Sequence, residues 1–330
     1  MARITVQNIA DEVGLSKYAV SRALSGKSGV SEATRKRVND TAERLGYRKP
    51  RQAARLLGVV FDDSDYANSE LHMQIQNGIQ SDAQRLGFGL RMRATRQARE
   101  IEALAEECDG LLIVGAQSEE GMRRAYALGK PVVRSGWLQP LEQVDQVGGT
   151  DHEAGSAVAH FLLAKGHRNI VYVHGDPRFR GRMERLYGLR EVCEPRGDVT
   201  LHDLVLDNGS ELPEAIDRLE KQNAGVTAYF CAHDGLALTV ISELLRRGHK
   251  IPDDCSVIGF GDFSAAQQIS PAMTTVRVPG INIGRMAAWM LDQRISNPDF
   301  PSCPMRLHVP CQIIERGSSG PAPNTLASAG

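Results

Sequence analysis

Short apolar runs alternate with amphipathic stretches over most of this 330-residue chain, and this alternation restricts the folds that the chain can adopt. The apolar runs cover residues 57–61, 111–114, 131–133, 170–173, 228–231 and 257–260. The amphipathic stretches between them cover 69–86, 118–128, 153–165, 182–193, 212–221 and 235–247. Near-continuous apolar strands separated by helices are typical of parallel sheets covered by helices, so we predict an α/β fold with parallel sheets.

Glycines mark the ends of several predicted helices in this region. The pairs that close them are Leu86-Gly87, Leu128-Gly129, Lys165-Gly166 and Arg247-Gly248. Because glycine adopts the left-handed conformation at low cost, each pair predicts a helix end shortly before the next strand.

The first 47 residues have a different pattern, which predicts three short helices. Their expected N-caps and spans are Thr5 with 6–13, Ser16 with 17–24, and Ser31 with 32–45. Gly14 permits a tight turn between the first two helices because it adopts positive φ without strain. Two helices joined by such a turn, the second with a polar outer face, are typical of a helix-turn-helix.

The charge of the chain is divided between this head and the remainder. Residues 1–55 contain 12 Lys and Arg against 5 Asp and Glu, a net charge of +7. The other residues contain 27 Lys and Arg against 35 Asp and Glu, a net charge of −8. A basic head on an acidic body favours a polyanion as the partner of the head. A three-helix packing module without a partner is the alternative, and it leaves this charge excess unexplained.

The outward face of the second predicted helix carries side chains suited to reading duplex DNA. Its residues are Lys17, Tyr18, Ser21 and Arg22. Arg22 has the geometry to donate two hydrogen bonds to the O6 and N7 edge of a guanine. The further candidates carry hydroxyl groups that suit phosphate oxygens, and they are Thr5, Ser16, Ser31 and Thr34.

A run of spaced identities adds to this interpretation. It comprises Thr5-Val6-Gln7-Asn8-Ile9-Ala10, Val13-Gly14-Leu15-Ser16, Ala19-Val20-Ser21-Arg22-Ala23-Leu24, Val30-Ser31-x-x-Thr34-Arg35-x-x-Val38 and Leu45-Gly46-Tyr47. These stretches resemble the headpiece of the lac repressor (LacI/GalR) family of transcriptional regulators. The resemblance implies that Lys17, Tyr18 and Arg22 read bases in the major groove.

In that family a hinge helix follows the headpiece, and its leucine wedges into the minor groove. Ala53 and Leu56 fall at the matching places, and Arg51 and Arg55 supply the basic neighbours that such a wedge needs. However, Leu56 runs directly into the first predicted strand, where the family has several more residues. Two interpretations of Leu56 therefore stay open: insertion into the minor groove, or the start of that strand.

The remainder of the chain resembles the same family and, through it, the periplasmic sugar-binding proteins. The matching stretches include Asn77-Gly78-Ile79, Gly110-Leu111-Leu112-Ile113, Leu163-Ala164-Lys165-Gly166-His167, Cys231-Ala232-His233-Asp234 and Ser256-Val257-Ile258-Gly259-Phe260. The resemblance implies a two-lobed sensor domain whose chain crosses between lobes near Thr150, Thr275 and Leu307.

We accordingly expect three parts in the chain. A headpiece with hinge covers 1–56, and a sensor and dimerisation domain covers 57–316. Within that domain, one lobe covers about 57–150 and 276–307, and the other covers about 151–275 and 308–316. Residues 317–330, rich in Ser, Gly, Pro and Ala, are expected to form a disordered tail.

Ligands of open parallel sheets bind at the carboxyl ends of the strands, and in two facing lobes those ends meet in one cleft. The effector-binding candidates at these ends are Asp62, Arg134, Trp137, Arg182, Arg185, His233 and Asp262. Trp137 either stacks on an apolar ring face of the ligand or is a half-buried core residue.

The candidate set favours an anionic ligand. In sugar-binding relatives, acidic or amide side chains commonly bind hydroxyls at places that hold Gly136, His233 and Gly261 here. The donors in the set are Arg134, Arg182, Arg185 and His233. Guanidinium groups suit carboxylate and phosphate, so we expect an effector such as a sugar acid or a sugar phosphate.

Other functional classes have less support in the sequence. A transport-type binding protein would carry a secretory signal, whereas Met1-Ala2-Arg3-Ile4-Thr5 lacks an apolar core, so a cytoplasmic protein is expected. An enzyme is not expected, because no G-x-G-x-x-G follows the first strand and neither a P-loop nor a G-x-S-x-G motif is present. The six cysteines are scattered without C-x-x-C spacing, so neither a metal nor another cofactor is expected.

Together these features predict a sequence-specific, DNA-binding transcriptional repressor. A single headpiece makes few contacts, so we expect a homodimer that reads a near-palindromic operator. The effector would control operator affinity through two arrangements of the lobes that differ in their affinity for each partner.

Overall fold

The computed structural model describes residues 4–24, 29–45, 47, 55–64, 68–177, 179–206, 212–222 and 225–323. The contacts within the chain divide it into two units, Met1–Arg55 and Leu56–Gly330. The helices of the first unit are α1 (Val6–Val13), α2 (Lys17–Leu24) and α3 (Glu32–Arg44).

The second unit alternates strands and helices along the chain. Its strands are β1 (Leu56–Phe61), β2 (Gly89–Ala94), β3 (Gly110–Val114), β4 (Val132–Ser135), β5 (Asp145–Gly149), β6 (Asn169–His174), β7 (Thr200–Val205), β8 (Ala228–Cys231), β9 (Ser256–Gly261), β10 (Thr274–Arg277), β11 (Arg306–Val309) and β12 (Gln312–Ile314). Its helices are α4 (Ser69–Leu86), α5 (Ala98–Glu107), α6 (Glu119–Ala127), α7 (Asp151–Ala164), α8 (Arg180–Cys193), α9 (Leu212–Gln222), α10 (Asp234–Arg246), α11 (Ser264–Gln268) and α12 (Gly280–Ser296).

The ends of α1 are set by local interactions. Thr5 and Asn8 form a capping box, in which the Thr5 hydroxyl accepts the Asn8 N–H and the Asn8 amide oxygen accepts the Thr5 N–H. Gly14 ends α1 in the left-handed conformation, with φ of 67°. The small core between the three helices contains Ile9, Ala10, Val20, Ala23, Val38 and Ala42. This unit is the predicted helix-turn-helix.

Two six-stranded sheets form the second unit, one in each lobe. The first has the order β11-β5-β4-β3-β1-β2 and is parallel throughout. The second has the order β12-β10-β9-β8-β6-β7 and is parallel except for β12. The predicted α/β fold with two lobes and parallel sheets is therefore confirmed.

The chain crosses between the lobes after β5, after β10 and after β11. The first crossing lies at Thr150, between β5 and α7. The other two follow Arg277 of β10 in the second sheet and Val309 of β11 in the first sheet.

Glycines bring pairs of helices into direct backbone contact in both lobes. A Cβ atom on Gly78 of α4 would lie 2.1 Å from the carbonyl oxygen of Ile281 in α12. A Cβ atom on Gly155 of α7 would lie 2.1 Å from the carbonyl oxygen of Arg185 in α8. The absence of a side chain at these positions therefore fixes how closely the helices pack.

The structure differs from the prediction of a disordered tail beginning at residue 317. Ser318 is fully buried, its N–H donates to the carbonyl of Ala272 at 3.0 Å, and its carbonyl accepts the N–H of Val257 at 2.8 Å. His167 lies 3.1 Å from the carbonyl of Gly320. Small polar residues let this segment lie against the second lobe with its backbone hydrogen-bonded. The rest of the predicted tail, 324–330, lies outside the described residues.

The described helices do not include one that is long and apolar enough to cross a membrane. In the same part of the chain, no group of three or more His, Cys, Asp or Glu side chains is placed to hold a metal ion. The cysteines are free thiols, and those buried are Cys108, Cys193, Cys231 and Cys255.

Candidate functional site

The outer face of α2 presents a hydrogen-bonded pair of side chains. Tyr18 is 69% exposed, and its hydroxyl accepts a hydrogen bond from Nη1 of Arg22 at 2.7 Å. The two residues lie one turn apart, so the contact runs along the helix surface. Lys17 and Ser21 are exposed beside them. The pair orients the guanidinium before any ligand arrives, which suits a group that reads a planar edge.

The hydroxyl candidates of this unit cap its helices. Ser16 accepts the N–H of Ala19 at 3.1 Å, and Ser31 accepts the N–H of Thr34 at 3.2 Å. The Thr5 hydroxyl donates to the Asn8 amide oxygen at 2.7 Å, so both of its hydrogen-bonding roles serve the capping box. Thr5 is therefore placed as a helix cap, whereas Ser16 retains a hydroxyl proton that suits a phosphate oxygen.

The two interpretations of Leu56 are resolved by its backbone. Leu56 begins β1, where it pairs with Gly89 of β2, and its N–H donates to the carboxylate of Asp109 at 2.7 Å. The structure thus shows Leu56 as the start of the first strand. The other hinge candidates, Arg51 and Ala53, lie outside the described residues.

A cavity of about 440 Å³ lies between the lobes, at the carboxyl ends of their strands. Its lining residues are Asp62, Ser64, Arg96 and Ala116 from the first lobe and Asp176 and Phe179 from the second. Asp62, which follows β1, accepts the backbone N–H of Ser64 at 2.9 Å and its hydroxyl at 2.7 Å. Of the sequence candidates, Asp62 is thus placed in the cavity wall.

Arg182 and Arg185 lie near the start of α8, beside this cavity. The Arg182 guanidinium lies 4.3 Å from the ring centroid of Phe179, which lines the cavity. Arg185 is held more firmly, because its Nε lies 3.0 Å from the Asp151 carboxylate and its Nη1 donates to the carbonyl of Ala232. Arg182 therefore contacts a residue of the cavity wall, while Arg185 is anchored within the second lobe.

Trp137 makes a hydrogen bond between the two lobes and stays partly exposed. It follows β4 in the first lobe, and its indole N–H hydrogen-bonds to Asp151, which begins α7 in the second lobe. Burial raises the pKa of Asp151, and the adjacent Arg185 charge opposes that effect. The half-exposed indole is thus positioned by the same carboxylate that holds Arg185.

His233 caps α10, and this role fixes its tautomer. Its Nδ1 accepts the backbone N–H of Leu236 at 3.1 Å, so the neutral ring carries its proton on Nε2. Burial first, and then the charges of Arg182 and Arg185, lower the pKa of His233 to about 4. The imidazole is therefore neutral at pH 7.

Two of the effector-binding candidates form ion pairs within the protein. Arg134 lies 3.1 Å from both carboxylate oxygens of Glu142, on the face of β4 that it shares with Val132. The Asp262 carboxylate accepts hydrogen bonds from Arg277 at 2.7 Å and from Arg316 at 2.6 Å. Both side chains are thus paired within the protein, and their predicted effector roles stay predictions.

Several residues of the cavity wall were not among the candidates from the sequence. Ser64 follows the first predicted strand by three residues, and Asp176 and Phe179 follow the strand that ends at His174, so strand-end position would have found them. Arg96 follows β2, an edge strand in which arginines interrupt the apolar residues. That strand has no apolar run to reveal it.

Asp234 gives this region a pH dependence. It is fully buried, and its carboxylate accepts hydrogen bonds from the Thr275 hydroxyl at 2.5 Å and the Phe263 N–H at 2.6 Å. Burial nevertheless raises its pKa from 3.8 to about 6. The folded protein thus holds an extra proton between these values, and the stability from this group is full below pH 3.8 and lost as pH rises through 6.

We therefore expect Asp234→Asn to alter the pH profile of stability. Relative to wild type, the variant should become more stable as the pH rises from 4 to 7, because wild type must ionise a buried carboxyl. Thermal unfolding at several pH values measures this difference, with the exposed Asp253→Asn as control. A difference between Asp234→Asn and wild type that is constant over this range would contradict the assignment.

Comparisons with known proteins agree with this geometry. A model of the bacterial regulatory proteins of the lacI family matches residues 5–49. A model of the periplasmic binding protein-like domain matches residues 159–319. These two regions correspond to the helix-turn-helix and to most of the second lobe.

Curated relatives match over nearly the full length of the chain. The chain is 26% identical over 332 residues to the HTH-type transcriptional repressor PurR of Vibrio atlanticus, covering 95% of this chain and 98% of that protein. It is 29% identical over 315 residues to catabolite control protein A of Streptococcus mutans, covering 90% and 93%. These relatives are regulators and not enzymes.

Solved structures show the same architecture. The transcriptional regulator CelR, in complex with cellobiose, is 26% identical, with a TM-score of 0.69 and coverage of 96% of this chain and 100% of that chain. The lac repressor dimer bound to operator and the anti-inducer ONPF is 18% identical, with a TM-score of 0.69 and coverage of 97% and 100%. The latter likeness shows the fold alone.

Proposed function

Because this chain belongs to the lacI family of bacterial DNA-binding transcriptional regulators, we propose that it is a repressor whose affinity for a near-palindromic operator is set by a small effector. The observation that supports this most is the exposed Tyr18–Arg22 pair on α2, in a unit with a net charge of +7. Such a repressor acts in the cytoplasm, where the chromosome lies.

The proposed assembly is a homodimer. One headpiece presents a single recognition helix, whereas two such helices about 34 Å apart read successive major grooves on one side of the duplex. The lac repressor, which has the same fold, is a dimer on its operator. Two-fold symmetry of the protein then requires near-palindromic symmetry of the operator.

The proposed effector site is the cavity between the lobes. Its volume of about 440 Å³ falls in the range of small-molecule sites, and both lobes line it. The effector is a sugar or a sugar-derived acid or phosphate, and the CelR complex with cellobiose supports a ligand of this type. A ligand held by both lobes favours one lobe arrangement, and this differential affinity couples the effector to the operator.

A salt titration tests the DNA-binding proposal. A duplex selected from a random pool by the full-length protein is labelled, and binding is followed by fluorescence anisotropy. Counterion release from six to ten phosphates should lower the affinity by about 10³–10⁵-fold between 50 and 200 mM salt.

A scrambled duplex of equal length serves as the control for specificity. It should bind more weakly than the selected duplex at every salt concentration. Equal affinity for the two duplexes, or an affinity independent of salt, would rule out sequence-specific regulation of this kind.

A further inference from the structure

A carboxylate of the first lobe is hydrogen-bonded to a residue of the second lobe, away from the three chain crossings. Glu70 lies in the first turn of α4, and Ser264 is the first residue of α11. One Glu70 oxygen accepts the Ser264 N–H at 2.9 Å, and the other accepts the Ser264 hydroxyl at 3.0 Å. Both oxygens of one carboxylate thus bind a single residue of the opposite lobe.

This contact takes the place of a local helix cap. Phe263, which precedes α11, provides no side-chain cap. An N–H group at the start of a helix lacks an acceptor within the helix, and a carboxylate is a favourable acceptor because of its charge. Glu70 supplies this acceptor from the other lobe, so the start of α11 depends on how the lobes are arranged.

The second-lobe half of the contact is held firmly by that lobe. The Phe263 N–H donates to the buried Asp234 carboxylate at 2.6 Å. The neighbouring Asp262 is paired with Arg277 of β10 at 2.7 Å. These interactions fix the backbone immediately before Ser264, so Ser264 must move together with the second lobe.

The first-lobe half is held by the packing of α4 on α12. A Cβ atom on Gly284 of α12 would lie 2.1 Å from the carbonyl oxygen of Ile75 in α4. Glu70 belongs to the same helix as Ile75, so its backbone moves together with the first lobe. A hydrogen bond requires a donor–acceptor distance of about 3 Å, so separation of the lobes at this edge must break both bonds between Glu70 and Ser264.

We propose that Glu70 and Ser264 form a latch that stabilises the closed arrangement of the lobes and is released when they separate. This inference rests on the proposed function, in which two lobe arrangements couple effector to operator, and it adds residues that set the balance between them. Removing a charge-assisted contact that exists in only one arrangement should shift that balance by about tenfold.

Trp137 reports on the separation of the lobes without any ligand. Its indole N–H bonds to Asp151 of the second lobe, and a Cβ atom on Gly181 of α8 would lie 2.9 Å from the indole nitrogen. Movement of the second lobe away from the first therefore exposes the ring. The other tryptophan of the chain, Trp289, packs edge-on against Phe300, so Trp289→Phe leaves Trp137 as the single reporter.

Acrylamide quenching of Trp137 in the full-length Trp289→Phe protein tests the latch. Glu70→Ala should raise the Stern–Volmer constant and shift the emission to longer wavelength, because the open arrangement gains population. Glu70→Gln keeps one oxygen acceptor, and Ser264→Ala keeps the backbone N–H, so each should have a smaller effect. Glu100→Ala removes the same charge from an exposed position in the same lobe, and it should match the parent protein.

A double substitution shows whether the two residues act through their contact. Once Glu70→Ala has removed the acceptor, the addition of Ser264→Ala should change the quenching no further. Additive effects of the two substitutions, or equal quenching in Glu70→Ala and Glu100→Ala, would overturn the proposal. An increase in Glu70→Ala that Ser264→Ala does not reproduce in part would place the effect in α4 itself and is equally contrary to a latch.

Binding of the selected operator by the same samples separates this inference from the proposed function. Unchanged quenching in Glu70→Ala together with intact operator binding refutes only the latch. Increased quenching in Glu70→Ala together with no sequence-specific DNA binding by the parent protein refutes only the regulator.

Discussion

Arg22→Ala is expected to lower the affinity for a selected operator by about a hundredfold or more, while the thermal unfolding of the protein stays unchanged. A bidentate contact to guanine contributes about 1–3 kcal/mol to discrimination, and a homodimer makes it twice. Arg22 lies on the outer face of α2, and its guanidinium is held by the Tyr18 hydroxyl at 2.7 Å. Anisotropy with the selected and the scrambled duplex measures this loss of affinity. The variant should bind the two duplexes with nearly equal affinity.

Arg44→Ala is the matched control, because it removes the same charge from the same unit. Arg44 pairs with Glu12 at 2.7 Å, and its side chain is 61% exposed. Its loss should change affinity only slightly and equally for both duplexes. Tyr18→Phe removes the oxygen that orients Arg22. Its affinity for the selected operator should lie between those of Arg22→Ala and Arg44→Ala. Retention of wild-type discrimination by Arg22→Ala would show that another residue reads the operator.

The helix-turn-helix was predictable from sequence because its determinants are local. The Thr5 cap, the left-handed Gly14 and the spans of α1 and α2 depend on residues within a few positions of one another. The predicted third helix ends one residue beyond the observed α3, at Leu45. The alternation of apolar runs and helices likewise predicted the central strands of both sheets, because those strands are apolar and buried, whereas edge strands such as β2 and β7 have no apolar run.

The effector cleft was less predictable because its determinants are distant in sequence. Arg134 forms an ion pair with Glu142, and Asp262 forms ion pairs with Arg277 and Arg316. The segment around Ser318 packs on the second lobe through backbone hydrogen bonds that the local sequence does not predict. Strand-end position thus predicted where the cleft lies, but pairing across the fold determines which side chains face it.

The close packing of α7 against α8 connects the fold to the effector site. A Cβ atom on Gly155 would lie 2.1 Å from the carbonyl oxygen of Arg185, the residue anchored to Asp151 and Ala232. A backbone carbonyl cannot change rotamer as a side chain can. The clash with an added Cβ atom is therefore relieved only if α8 shifts as a unit. Because Arg182 belongs to the same helix, that shift displaces the side chain that packs on Phe179 of the cavity wall.

Gly155→Ala should therefore destabilise the protein and abolish its effector response together. Helix propensity alone would favour alanine by about 1 kcal/mol, whereas overpacking costs about 1–3 kcal/mol or more, so a lowered Tm shows that the steric effect dominates. Gly148→Ala is the control, because a Cβ atom at that position has no atom within 4 Å. The Tm of this control variant should be nearly that of wild type. Thermal unfolding with and without a stabilising sugar, sugar acid or sugar phosphate measures both effects. If Gly155→Ala keeps both the Tm and the effector response of wild type, the α7–α8 contact does not set the geometry of the cleft.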